Sequence, residues 1–127
     1  MKKLGVLACI SLMVTVSSLF ADPVALLSAA QERQFKEDWY GAIEYYQEAL
    51  RENSAYNSAY KGLATCFYSI GEYEQALKQI ENALYFKKDD PELISLKGFI
   101  SIGLGDLKSA TTLFSQVLKA WPNDTNA

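Results

Sequence analysis

The side chains that could do chemistry are few and poorly grouped. No histidine occurs among the 127 residues, which removes the commonest general base and a major metal ligand. Glu37 with Asp38, or Glu72 with Glu74, could supply a carboxylate pair, but both pairs stand at polar corners where an acid serves as a helix cap. Asp89 and Asp90 are neighbouring acids without a histidine or further ligands, a poor set for a transition metal. The sequence has no Gly-rich phosphate loop after a strand, no nucleophile elbow and no cysteine pair. These residues imply neither an enzyme nor a cofactor nor a bound metal.

What the chain has instead is repetition. The stretch Gly71 to Leu84, GEYEQALKQIENAL, has counterparts in EDWYGAIEYYQEAL (Glu37 to Leu50) and GDLKSATTLFSQVL (Gly105 to Leu118). Ala42, Ala76 and Ala110 stand 34 residues apart, and so do Leu50, Leu84 and Leu118. A period of this length marks stacked structural repeats. Each copy opens on a breaker or polar residue, then an acid and a large apolar residue. Gly71 and Gly105 suit a left-handed helix end, and the acid suits the positive start of the next helix. Ala76, Ile80, Ala83 and Leu84 then form one apolar stripe at helical spacing, with small residues set into it.

Before Gly71, the residues Tyr60, Leu63, Ala64 and Phe67 have the spacing large-x-x-Leu-small-x-x-aromatic, and Ala76 and Ile80 add small-x-x-x-large. This resembles the tetratricopeptide repeat. The third copy matches through Gly98, Ala110, Phe114 and Pro122 but has Lys97 and Ser101 at two signature positions. The first matches in Ala42, Tyr46 and Ala49, with Arg33 in place of the aromatic. The resemblance implies an all-α, right-handed α-solenoid of three helix-turn-helix repeats, at about 23–56, 57–90 and 91–124, within a domain spanning 22–127. The expected helices run over about 23–36, 39–52, 57–70, 73–86, 91–104 and 107–121. Asp22-Pro23 and Asp90-Pro91 are helix starts, a capping acid followed by proline at the first helical position.

Residues 1–21 read as a secretion signal: Lys2 and Lys3, a charge-free run from Leu4 to Leu19, and a cleavage site after Ala21. The run is short for a membrane span of about 20 residues, which favours cleavage; retention of the segment as a membrane anchor is the alternative, because Leu19 is larger than the residue usual at that site. Cys9 lies too close to the lysines for a lipid-attachment box. Cleavage would leave a chain of formal charge −5, ten basic against fifteen acidic residues, with Cys66 as its only thiol and a small core residue. No basic cluster survives, which argues against nucleic acid and anionic lipid as partners. Export implies a periplasmic or other extracytoplasmic location.

In the family, first helices line a concave groove, so the resemblance implies groove residues Leu27, Gln31 and Phe35, then Lys61, Thr65 and Tyr68, then Ser95, Phe99 and Ile102. The family's carboxylate clamp for chaperone tails needs cationic and amide donors. Leu27, Gln31, Gly62, Thr65 and Leu96 occupy clamp-type positions and cannot supply them, leaving an apolar, aromatic groove with Lys61 as a lone cation. The expected role is a protein-binding or assembly module of the cell envelope. The rivals are a subunit of a membrane-anchored complex, a three-repeat secretion chaperone and, last, an enzyme with an unrecognised site. Phe114, Val117, Leu118 and Trp121 form a possible association face at the C-terminal end, covered by self-association, another chain or a missing cap.

Overall fold

The computed structural model describes residues 22–121; residues 1–21, which read in sequence as a secretion signal, and Pro122 and Asp124 lie outside the described residues. Six helices follow one another: α1 (Pro23–Phe35), α2 (Trp39–Glu52), α3 (Asn57–Ser69), α4 (Tyr73–Phe86), α5 (Pro91–Gly103) and α6 (Leu107–Ala120). The described residues are all-α. Every first helix ends one residue before its expected end, because the last turn tightens into the stop that follows.

That stop is one device used three times. Glu37, Gly71 and Gly105 have φ of 59°, 80° and 80°, the left-handed conformation that reverses the chain at a helix end. In each, the next amide reaches five residues back: Asp38 to the Arg33 carbonyl, Glu72 to Phe67 and Asp106 to Ser101, all at 2.9 Å. Asp38 and Asp106 then cap the second helices, accepting from the Gly41 and Ser109 amides at 3.1 Å each. Glu72, in the same register, makes no such side-chain bond. Asp22 and Asp90 cap α1 and α5, whereas Tyr56 supplies no side-chain cap to α3. Next to it, the buried Asn57 Oδ1 has no hydrogen-bond partner among the described residues.

Within each hairpin the two helices pack along their length, and α2 on α3 and α4 on α5 join the hairpins. First helices also touch, α1 to α3 and α3 to α5, while the second helices do not touch one another. The stack is therefore a nearest-neighbour solenoid whose first helices share one surface. Ala42, Ala76 and Ala110 lie at the close contacts with exposures of 0%, 0% and 3%, as the small-residue positions required. One core cluster joins Ile43, Tyr46, Leu63 and Cys66; the other joins Ala64, Ile80, Leu93 and Ile100. The antiparallel hairpins give the solenoid two long edges. A turn edge carries residues 36–38, 70–72 and 104–106; a link edge carries the start of α1, residues 53–56 and 87–90, and Trp121.

Candidate partner-binding groove

The surface shared by the first helices contains two depressions that meet in the middle. Between α1 and α3, one of about 520 Å³ is lined by Gln31, Gln34, Phe35, Trp39, Tyr46, Ser58, Lys61, Gly62 and Thr65. Between α3 and α5, one of about 470 Å³ is lined by Lys61, Thr65, Pro91, Glu92, Ser95, Leu96 and Phe99. Lys61 and Thr65 belong to both, so the two form one path across three helices. Thr65 turns its hydroxyl inward, donating to the Lys61 carbonyl at 2.9 Å, which leaves a short, weakly polar wall.

Lys61 is the one cation among the residues that line the path, but it is not unpaired. Its ammonium donates to the Glu92 carboxylate from the first turn of α5. The pair bridges α3 and α5, and both side chains stay largely open to water, so it contributes little stability. Its consequence is electrostatic: the middle of the groove carries one cation and one anion side by side, with no net charge.

The floor between α1 and α3 is the buried Tyr46 ring, which rests on Gly62. A Cβ at Gly62 would stand 2.2 Å from Tyr46 Cζ. The Tyr46 hydroxyl donates to Gln34 Oε1 at 2.6 Å and fixes the Gln34 amide at the groove wall. Burial pushes the Tyr46 hydroxyl up to about 12, with the Cys66 thiolate adding to the shift. Cys66 itself, fully buried, is pushed up to about 11 by desolvation, which makes it an inert packing residue rather than a nucleophile. Outside the groove, Asp38 is held below the usual carboxylate range by the Gly41 amide and then by Arg33, 2.9 Å away. Asp106 is lowered by the Ser109 hydroxyl and amide. Both are capping acids.

Of the nine groove residues expected from the sequence, Gln31, Phe35, Lys61, Thr65, Ser95 and Phe99 line the path. Leu27, Tyr68 and Ile102 do not line it. Leu27 packs half-buried against the first core cluster, and Tyr68 lies half-buried against Tyr73 with ring centroids 5.7 Å apart. Ile102 stands exposed at the far end of α5. Gln34, Trp39, Tyr46, Ser58, Pro91 and Glu92 were missed. Glu92 was the one with a readable signal, an acid in the first turn of a helix adjoining the one that bears Lys61.

The C-terminal face divides. Leu118 and Trp121 are 61% and 47% exposed. Val117 is half-buried, whereas Ala49 and Ala83, in its register, are fully buried beneath the following helix. Phe114 corrects the expectation of a row that nothing covers. Its ring lies over Gly98, where a Cβ would be 2.7 Å from it, and meets Phe99 edge-on at 5.1 Å, so it turns back into its own hairpin. No group of three or more acids or cysteines able to hold a metal occurs among the described residues.

Comparison with known proteins agrees with this geometry. The family model described as tetratricopeptide repeat matches residues 36–98. The Hsp70-Hsp90 organising protein of Plasmodium falciparum is 29% identical over 94 residues, which is 74% of this chain but 36% of that protein. The chain thus spans about a third of that relative's length. Among solved structures, the first TPR of Spaghetti (RPAP3) bound to HSP90 peptide SRMEEVD superposes with a TM-score of 0.75 at 16% identity, covering 81% of this chain and 82% of that one. PcrH in complex with the chaperone binding region of PopB gives 0.71 at 22% identity, covering 79% and 83%. At these identities the structures share the fold.

Proposed function

We propose a binding role for this chain, which belongs to the tetratricopeptide repeat family: it holds an extended segment of another protein, uncharged at its centre, in the groove of α1, α3 and α5. The observation that carries this reading is the continuous path through Lys61 and Thr65. An apolar side chain of the partner would enter beside Leu96 and Phe99, and a backbone carbonyl would meet the amides of Gln31 and Gln34. Burial of such anchors in a preformed groove is the usual source of peptide affinity. Two solved relatives named above are titled as bound to a peptide or to a binding region of another protein, which supports a peptide ligand here. The acidic peptide of the first is a poor model for this groove, because Lys61 is neutralised by Glu92 and the other clamp-type positions lack cations. We place the domain outside the cytoplasmic membrane, on the strength of the basic start and charge-free run before α1.

The test is capture from a native envelope extract on immobilised protein, followed by mass spectrometry. Lys61→Ala with Phe99→Ala should lose the captured set while helicity is kept, and Glu72→Ala on the turn edge should retain it. A captured set unchanged by the double variant would move the site off the groove. Strong binding of an acidic chaperone-type tail would overturn the uncharged-centre reading alone.

A further inference from the structure

The link edge carries a second set of exposed apolar side chains that neither the groove nor the core uses. Tyr85 and Phe86, at the end of α4, are 76% and 47% exposed. They meet edge to face at 5.4 Å, and Phe86 stacks on Tyr60 at 6.1 Å. The Tyr60 hydroxyl donates to the Ser54 carbonyl at 2.9 Å, which ties this aromatic group to the α2–α3 link. Trp121 is 47% exposed at the same edge and Val24 57% exposed in the first turn of α1. Lysines 87, 88 and 119 lie among them. Tryptophan and tyrosine with an apolar body and a polar tip, flanked by lysines, suit the headgroup level of a bilayer.

The chain itself leads to this edge. The charge-free run from Leu4 to Leu19 is followed only by Phe20 and Ala21 before Asp22 caps α1. Two residues reach at most about 7 Å. If the run lies in a bilayer, no linker exists to hold the link edge away from the surface. Leu4 to Leu19 alone is short for a span, and counting Phe20 and Ala21 brings the run to 18 residues, the low end of what crosses a bilayer. Leu19, at a position where signal cleavage favours a small side chain, disfavours removal of the segment. The basic start with Lys2 and Lys3 would remain on the cytoplasmic side.

We propose that the N-terminal segment is retained as an anchor and that the link edge rests on the bilayer, with Tyr85, Phe86 and Trp121 at headgroup depth and the groove open above it. The lipid is zwitterionic in kind. Arg51, Lys87, Lys88 and Lys119 on this edge are outnumbered by Asp22, Glu52, Asp89, Asp90 and Glu92, so the edge has no positive charge to offer anionic lipid. The turn edge also exposes apolar side chains, Phe35, Tyr40 and Leu107 among them, but no anchor leads to it.

The two tryptophans stand on opposite edges and decide between them. Full-length protein, variants Trp39→Phe and Trp121→Phe, is reconstituted into phosphatidylcholine vesicles carrying bromine near the headgroup end of the acyl chains. Trp121 in the first variant should lose fluorescence by at least about twofold, as expected for a ring at the interface, and Trp39 in the second should be unaffected. Tyr85→Ser with Phe86→Ser should weaken Trp121 quenching without changing helicity, and the groove variant Lys61→Ala with Phe99→Ala should leave it as it was. Native protein whose intact mass begins at Asp22 overturns the proposal. So does Trp121 that is no more quenched than Trp39, or quenching confined to Trp39.

Discussion

Gly62→Ala tests how the groove floor is built. A Cβ there would stand 2.2 Å from Tyr46 Cζ and 2.6 Å from both Cε atoms, so the ring must retreat by roughly an ångström to restore ordinary contact. It has little room to do so: Tyr46 is 2% exposed, in a cluster with Leu63 and Cys66. Overpacking of this kind costs about 1–3 kcal/mol. Displacing the hydroxyl from Gln34 adds about 1 kcal/mol, and alanine's better helix propensity returns about 1 kcal/mol. The net loss of about 1–3 kcal/mol corresponds to a fall in Tm of about 5–15 °C for a domain this size, read by circular dichroism. Gly71→Ala is the contrasting variant: nothing lies within 4 Å of its Cβ, but φ is +80°, so the cost is backbone strain of about 1 kcal/mol alone. In a Tyr46→Ala background the Gly62→Ala penalty should vanish, while the Gly71→Ala penalty should persist. An unchanged or raised Tm for Gly62→Ala in the wild-type background would refute the aromatic-on-glycine floor.

Glu37, the one non-glycine residue with positive φ among the described residues, should gain about 0.5–1 kcal/mol on replacement by glycine, visible as a raised Tm. Ala83→Asp, fully buried under α5, should unfold the domain or cost several kcal/mol; Val117→Asp in the same register, with no described helix over it, should cost far less by the same measurement. Cys66 and Tyr46 both titrate above their ordinary values, Cys66 at about 11 instead of 9.0 and Tyr46 at about 12 instead of 10.0. The folded state keeps protons that the unfolded state releases, so stability is intact below pH 9 and declines from there to about 12; denaturant titrations across that range check the sign. For the same reason Cys66 should resist alkylation at pH 8 until the protein is unfolded.

The repeat was legible because it rests on local chemistry. A glycine at a left-handed helix end, an acid at a helix start and a small residue at a helix crossing each leave a mark at a fixed position, and Gly71, Asp106 and Ala76 could be read one by one. Glu37 shows the limit of that reading: its place in the period marked a helix stop, but only the backbone shows that a glutamate adopts the glycine conformation. The groove was legible in outline, since exposure on a helix face follows from periodicity. What escaped was every feature set by distance between units. Tyr68 and Phe99 look alike in sequence, each an aromatic on a first helix. Tyr68 meets Tyr73 of its own hairpin, and Phe99 is left at the groove because Phe114 supports it from behind.

The missed pair Lys61 and Glu92 carries the larger lesson for function. A period of 34 compares each residue with its equivalents, and the two stand 31 apart, so repeat reasoning never set them side by side. They meet because consecutive first helices touch and Glu92 lies in the first turn of α5. That contact changes the ligand class: a lysine alone would draw an acidic tail, while a lysine already paired draws none. Breaking the pair from the other side makes the point testable. Glu92→Gln leaves the shape of the groove and frees the Lys61 ammonium, so an acidic peptide that the wild type ignores should gain affinity, most strongly at low ionic strength. Measured by fluorescence anisotropy, equal binding of that peptide to wild type and Glu92→Gln would show that the ion pair does not govern what the groove accepts.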